Sequence, residues 1–307
     1  MQKLRIIFMG TPEFAVPGLA ILVENNFDIA AVVTAPDKPK GRGMKLSASP
    51  VKDFAVKHNI PVLQPSNLKS PDFLADLQSY QANLQVVVAF RMLPVAVWDM
   101  PELGTFNLHA SLLPQYRGAA PINWTIINGE TETGVTTFFL KHEIDTGDII
   151  LQEKEPIDEE DTAGDLYERL MHKGAKLVLK TVEAIREQSF TEIPQDLTEE
   201  VRHAPKIFKE TCEIDWNESS FYLYNFIRGL SPYPTAWATI KGKIYKIYKA
   251  SKTHKTKLEL EPGAIETDNQ NYLFVKTADH FLAIEELQVE GKKRMHISEF
   301  LRGNSIG

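Results

Sequence analysis

Leu4-Arg5-Ile6-Ile7-Phe8-Met9-Gly10-Thr11-Pro12 is a short apolar run that breaks directly into a turn, and its reading decides the fold. Behind Met1-Gln2-Lys3 it has a superficial likeness to a secretory signal. Its apolar core is only about five residues, however, short of the stretch such a signal needs, so it reads as a first strand. Phe14-Ala15-Val16-Pro17-Gly18-Leu19-Ala20-Ile21-Leu22 follows as a candidate helix, and Ile29–Val33 is again continuously apolar. Continuous rather than alternating apolarity predicts strands covered on both faces, as in a parallel sheet flanked by helices. Pro61-Val62-Leu63, Leu84–Phe90 and Gly104–Leu108 repeat the theme, separated by segments able to be helical. Strand–helix–strand order of this kind predicts an α/β fold, an open doubly wound and mainly parallel sheet.

Further along the chain the pattern changes. Asp161-Thr162-Ala163-Gly164-Asp165 predicts the start of a long helix with Thr162 as N-cap and Asp165 completing a capping box. Leu166, Leu170, Leu177, Val178, Val182 and Ile185 recur on one face of it. Residues 190–206 carry two prolines, mixed charges and no period, and read as a linker. Beyond them Tyr245–Tyr248, Tyr272–Val275 and Phe281–Ile284 are short runs punctuated by Gly, Pro, Asn and Asp, which predicts a small all-β barrel. The expected domains are therefore 1–189 and 207–307.

Composition bounds the function. The 307 residues suit two domains, and 43% hydrophobic with 24% charged residues is the balance of a globular protein with a real core. No stretch approaches the roughly 18 apolar residues of a membrane span. The single cysteine, Cys212, excludes an intramolecular disulfide and a cysteine-based metal site. These features predict a cytoplasmic protein. A net charge of −7 argues against indiscriminate coating of nucleic acid. The charge is uneven: residues 1–200 hold 18 Lys/Arg against 28 Asp/Glu, residues 201–307 hold 16 against 13. One half is thus the better candidate to meet a polyanion.

Four segments carry possible chemistry. Phe106-Asn107-Leu108-His109-Ala110-Ser111-Leu112-Leu113-Pro114-Gln115-Tyr116-Arg117-Gly118 leaves a predicted strand for a loop, at the end where parallel sheets bind ligands. Asn107 and His109 are two apart, so an extended chain turns both to one side. An amide and an imidazole aimed at one point suit a developing oxyanion, although a core histidine beside a turn-forming asparagine fits equally well. His142-Glu143-Ile144-Asp145-Thr146-Gly147-Asp148 also leaves an apolar stretch for a turn. It reads as an acid–base group or a solvated turn. A metal is not expected, because the spacing matches no zinc motif. Ala35–Pro50, with Lys38, Lys40, Arg42 and Lys45 against Asp37 alone, reads as a long structureless basic loop, either functional or merely solvated. It lacks the glycine spacing of a P-loop, and Gly10-Thr11-Pro12 lacks the pattern that binds nicotinamide cofactors. Finally Lys241–Lys257 holds seven lysines, two tyrosines and no acid, which suits either a nucleic-acid surface or one wet face of a strand.

In order along the chain, IIFMGTPEFAVPGL, PDKPKGRGMKLSASPVK, NLHASLLPQYRGAAPINW, IDTGDII, KIFKETCEIDW and IRGLSPYPTAW resemble the methionyl-tRNA formyltransferases. The central segment and the IDTG turn are common to folate-using formyltransferases, while the basic loop and the tail narrow the match. The resemblance implies a Rossmann-like formyl-transfer domain followed by an OB-like barrel. It implies 10-formyltetrahydrofolate as co-substrate, no metal, and initiator methionyl-tRNA as acceptor and partner. By position Asn107, His109 and Asp145 match the family's catalytic residues, and Ser111, Leu112, Leu113 and Pro114 its folate-binding segment. Phe90-Arg91-Met92 lies where the family typically has a tyrosine–glycine pair, so Phe90, Arg91 and Met92 are expected at the folate with Arg91 altering that contact. Arg42, with Lys38, Lys40 and Lys45, lies in the loop like the one that enters the tRNA acceptor arm. Lys241, Lys243, Lys246 and Lys249 are the corresponding expectation on the barrel. Rival readings are a formyltransferase for a small amine such as an amino-sugar nucleotide or glycinamide ribonucleotide, a formate-releasing hydrolase, and a tRNA-binding protein without catalysis. Monomer is the default oligomeric state.

Overall fold

The computed structural model describes residues 3–40, 45–143, 145–196, 198, 200–257, 259–304 and 306. The chain forms two compact units interleaved in sequence: Met1–Arg117 with Gly134–Glu155 and Glu168–Arg202, and Gly118–Thr133 with Pro156–Tyr167 and His203–Gly307.

The first unit is built on a seven-stranded sheet. In spatial order its strands are Ile149–Pro156, Glu132–Phe139, Thr105–His109, Leu84–Val88, Arg5–Gly10, Asp28–Val33 and Val62–Leu63. The five strands from Thr105–His109 to Val62–Leu63 pair in parallel, and Glu132–Phe139 joins antiparallel. Apolar side chains cover both faces, as continuous strand apolarity requires. Ile7, Met9, Ala31, Val33 and Val87 pack with Phe73, Leu77 and Val97. Ile6, Phe8, Leu19 and Leu22 are likewise buried. From the Arg5–Gly10 strand the chain first builds outward to Val62–Leu63, then crosses back to add Leu84–Val88 on the other side. The order therefore reverses between Arg5–Gly10 and Leu84–Val88. Crevices at such reversals, at the carboxyl ends of strands, are where open α/β sheets bind ligands. The two strands approach closely there: a Cβ on Gly10 would lie 3.0 Å from the Val88 carbonyl oxygen.

One expectation is corrected. The basic stretch is not structureless, because Lys38–Lys40 and Lys45–Ser47 pair antiparallel, with Lys38 opposite Ser47. Its base is pinned: Asp37 binds the Lys52 ammonium at 2.6 Å and accepts from the Gln64 amide at 2.8 Å. Ser49 caps the Pro50–Lys57 helix through the Lys52 N–H. Charged residues flanked by prolines hide a short hairpin from any hydrophobic period.

In the second unit an antiparallel sheet runs in the order Ala236–Ile240, Lys243–Lys252, Phe281–Val289, Leu273–Lys276, Ile265–Thr267, with Met295–His296 added on Phe281–Val289. It curls around a core of Tyr245, Ile247, Leu273, Val275, Leu282 and Ile284. The Ser220–Gly229 helix contributes Leu223, Phe226 and Ile227 to that core, an element the sequence reading had not identified. The capping box of the Ala163–Glu187 helix is present, with Thr162 N–H donating to Asp165 at 2.9 Å and Asp165 N–H to Thr162 at 3.3 Å.

Candidate functional site

Asn107 lies in the Thr105–His109 strand, in register with Val87 on one side and Phe138 on the other. Asn107 is half-buried in a strand otherwise buried. His109 closes the strand and is 6% exposed. Its Nε2 is 2.9 Å from the Tyr116 carbonyl oxygen. A carbonyl only accepts, so Nε2 carries the hydrogen and donates it. The other ring nitrogen, Nδ1, faces Asp145 Oδ2 at 4.0 Å. That contact becomes an ion pair when the ring is doubly protonated. The structure thus brings together His109 and Asp145, 36 positions apart in the sequence.

Backbone geometry on both sides is special. Tyr116 (φ 60°) and Asp145 (φ 55°) are in the left-handed region, which non-glycine residues enter only where the surroundings hold them. Gly147 has no room for a side chain, because a Cβ there would lie 1.5 Å from the Phe139 carbonyl oxygen.

The Ser111–Pro114 segment is held from beneath. Thr136, fully buried, donates from Oγ1 to the Ser111 carbonyl at 2.6 Å and accepts from the Leu113 N–H at 3.2 Å. Gln152 donates to the Leu113 carbonyl at 2.9 Å and to Thr136 Oγ1 at 3.0 Å. The Leu113–Pro114 peptide is cis. Leu113 packs with Phe138 and Ile149, while Leu112 and Pro114 are half-buried.

Phe90, Arg91 and Met92 follow the Leu84–Val88 strand at the reversal of strand order, with Ala89 at φ 47° turning the chain out. Met92 is exposed. The Arg91 guanidinium meets the loop that precedes the Pro71–Ser79 helix. It donates to the Ser66 carbonyl at 3.1 Å and to the Pro65 carbonyl, and lies beside the Phe90 ring.

Residues 190–196 and 200–202 belong to this unit. Ile193 and Ile149 exchange backbone hydrogen bonds of 2.8 and 2.9 Å. The Gln195 amide donates to the Asp145 carbonyl at 2.8 Å and the Gly147 carbonyl at 2.9 Å, while its oxygen accepts from Arg117 Nε at 3.1 Å and Nη2 at 2.5 Å. The Arg202 carbonyl accepts from the Tyr116 N–H at 2.7 Å. Thr136, Gln152 and Gln195 were all missed by sequence reasoning. The paired threonines inside an apolar run were a signal for the first, and nothing marked the other two.

Among the basic candidates Arg42 lies outside the described residues, and only the backbone of Lys40 and Lys45 is described. Lys38 opens the hairpin described above. Lys241 and Gly242, at φ 47° and 75°, make the two-residue turn joining Ala236–Ile240 to Lys243–Lys252. Lys241, Lys243, Lys246 and Lys249 are exposed, Lys246 directly opposite Trp237 in the sheet. Lys249 is 3.1 Å from Glu285, whose hydrogen bond and charge raise the ammonium above its ordinary value. Lys255 and Lys257 both pair with Glu266. Among the described residues no group of three or more His, Cys, Asp and Glu could hold a metal. No helix among them is long and apolar enough to cross a membrane.

A family model described as formyl transferase matches residues 3–182, and one described as formyl transferase, C-terminal domain, matches residues 206–305. The methionyl-tRNA formyltransferase of Bacteroides fragilis is 53% identical over 310 residues, spanning 98% of this chain and 95% of that protein. The protein of the same name from Flavobacterium johnsoniae is 49% identical over 307 residues, spanning 99% and 97%. Among solved structures, the sugar 3N-formyl transferase WlaRD, solved in the presence of dTDP and 5-N-formyl-THF, superposes with a TM-score of 0.68 at 23% identity, covering 95% of this chain and all of that one. HypX from Aquifex aeolicus, in complex with tetrahydrofolic acid, superposes at 0.65 with 20% identity, over 98% of this chain and 47% of its own. These two likenesses are of fold.

Proposed function

The chain belongs to the formyl transferase family, and from that membership we propose that it transfers the formyl group of 10-formyltetrahydrofolate to the α-amino group of initiator methionyl-tRNA, for initiation of translation. The observation that carries this reading is the full-length identity of about half to proteins of that name, which exceeds the 23% identity to a sugar formyltransferase.

The residues present fit the donor. A flat pterin needs apolar groups edged by backbone, and Phe90–Met92 and the pinned Ser111–Pro114 segment, which follow the carboxyl ends of two neighbouring parallel strands, are the segments proposed to receive it. Once there, the folate supplies an activated formyl group. An α-amino group titrates at about 7.7–8 in model peptides, so near neutrality part of the acceptor is already a nucleophile and strong base catalysis is not required. Positioning and charge stabilisation carry more of the barrier. Asn107 donates its amide hydrogen to the formyl oxygen as negative charge gathers there. His109, held at Nε2 by Tyr116 and facing Asp145 at Nδ1, donates to the same oxygen or relays the proton lost by the amine to the departing folate nitrogen, so that the ring ends as it began. Arg42, Lys38, Lys40 and Lys45 meet the acceptor arm, and Lys241, Lys243, Lys246 and Lys249 meet phosphates further along the tRNA. A cytoplasmic location is supported by the substrate, since charged tRNA is used there. One chain supplies Asn107, His109 and Asp145, which supports a monomer.

The direct test incubates the purified protein with 10-formyltetrahydrofolate and methionyl-initiator tRNA, an amino-sugar nucleotide, or buffer, and follows tetrahydrofolate release. Release that depends on the charged tRNA is expected. Release with the sugar nucleotide alone, or equally in buffer, overturns the reading in favour of a small-amine transferase or a hydrolase.

A further inference from the structure

Gln195 sits in a segment that composition reads as a linker, yet its carboxamide uses both ends in the site. Its NH2 group spans two carbonyls of one tight turn, those of Asp145 (2.8 Å) and Gly147 (2.9 Å). Its oxygen accepts two hydrogens from the Arg117 guanidinium. Arg117 directly follows Tyr116, whose carbonyl holds His109 Nε2. Asp145, the residue facing His109 Nδ1, is therefore tied through Gln195 to the side chain of Arg117, the residue next to the Tyr116 carbonyl that holds the opposite side of the same ring. The carriers on both sides, Tyr116 and Asp145, have left-handed backbone conformations that need outside support. The strap bearing Gln195 is itself anchored by Ile193 on Ile149 before it and by Arg202 on Tyr116 after it.

We infer that Gln195 is a positioning residue for the transfer reaction, a latch that sets the spacing of Asp145 and Tyr116 across the imidazole of His109. The inference rests on the formyl-transfer reading above. The amide group is required rather than polarity alone. A carboxylate could accept from Arg117 but could not donate to the two turn carbonyls, and an alanine does neither. Misplacement of a catalytic group by about 1 Å costs up to roughly 10²-fold in rate.

The test compares Gln195→Ala, Gln195→Glu and wild type in the full chain. The readouts are kcat and KM for both substrates and the 15N spectrum of the His109 ring. Wild type is expected to show the hydrogen fixed on Nε2. Both variants should lose about 10- to 100-fold in kcat with each KM within about twofold, and show His109 exchanging between ring forms. Unchanged kcat overturns the latch, as does a lower kcat with an unaltered His109 spectrum, because the residue would then serve only general stability. Raised KM values with normal kcat also overturn it. Should wild type itself release no folate with charged tRNA, the formyl-transfer reading fails. The His109 spectra would still decide whether Gln195 holds the ring.

Discussion

Asn107 and His109 are strand residues two positions apart in an internal strand of the sheet, and the strand fixes them before any loop is considered. This makes their contribution separable from substrate capture. Removing one donor aimed at a developing oxyanion typically costs about 10²–10³ in rate. Asn107→Ala is expected to lower kcat by that factor while leaving tRNA affinity within about twofold of wild type. Parallel losses of kcat and of tRNA binding, measured by steady-state kinetics and filter retention, would assign Asn107 to docking instead. Gly147 is the opposite case, a residue with no group to offer and no room to gain one. The methyl of Gly147→Ala must displace either the Phe139 carbonyl or the turn that presents Asp145. Overpacking of this kind costs about 1–3 kcal/mol, and the displaced Asp145 should take activity down with it. Thermal unfolding and kcat measured together test this, and a variant normal in both would show that the turn yields without consequence.

At the scale of elements, strands were legible and their fastenings were not. Leu4–Met9, Ile29–Val33 and Leu84–Val88 announce themselves by continuous apolarity, because burial on both faces leaves no other pattern. The Lys38–Lys40 and Lys45–Ser47 hairpin was hidden by charge, and the Ser220–Gly229 helix by its aromatic residues, which also suit strands. The start of that helix shows how a fastening depends on tertiary contact. Asp279, in a turn 59 residues later, accepts from the Ser220 N–H at 2.8 Å, the His280 N–H at 2.7 Å and Thr277 Oγ1 at 2.9 Å. Burial alone would raise the Asp279 carboxyl, but the donors from Ser220, His280 and Thr277 hold it well below the usual carboxylate range. A depressed carboxylate contributes stability that is present above its unfolded value, near 3.9, and is lost as pH falls through the folded value. Asp279→Ala should cost about 0.5–1 kcal/mol near neutrality, solvent screening the partly exposed carboxylate, and flatten the stability curve below about pH 4. Denaturant titrations from pH 7 to pH 2 check this, and an unchanged acid limb would assign that limb to other groups.

For the molecule as a whole, sequence order concealed proximity. His109 and Asp145 each stand in a conspicuous segment, but their meeting depends on the Thr105–His109 and Glu132–Phe139 strands being sheet neighbours. The lysine-rich run likewise changes meaning once folded. Its seven cations read as one basic stripe, whereas Lys249, Lys252, Lys255 and Lys257 each stand against a carboxylate of Glu285, Glu159 or Glu266. The cations at 241, 243 and 246 are thus the stronger candidates for phosphate. Each phosphate neutralised steepens the dependence of log affinity on log salt by about 0.7–0.9. Lys246→Ala should reduce the slope for tRNA by about that amount, while Lys249→Ala, releasing Glu285 at the same time, should weaken binding further through repulsion. Identical slopes for both variants and wild type would remove this face from the tRNA path.

The path of residues 190–202 has a practical corollary for anyone dividing the polypeptide by length. A piece stopped at Ser189 ends neatly just past the helix terminus and still contains Asn107, His109 and Asp145. It nevertheless forfeits the edge pairing of Ile193 and the bonds that Gln195 makes to Asp145, Gly147 and Arg117, and that Arg202 makes to Tyr116. Such a piece would carry all the reagents and misalign them. A piece stopped at Arg202 keeps those bonds but still carries Gly118–Thr133 and Pro156–Tyr167, segments of the second unit.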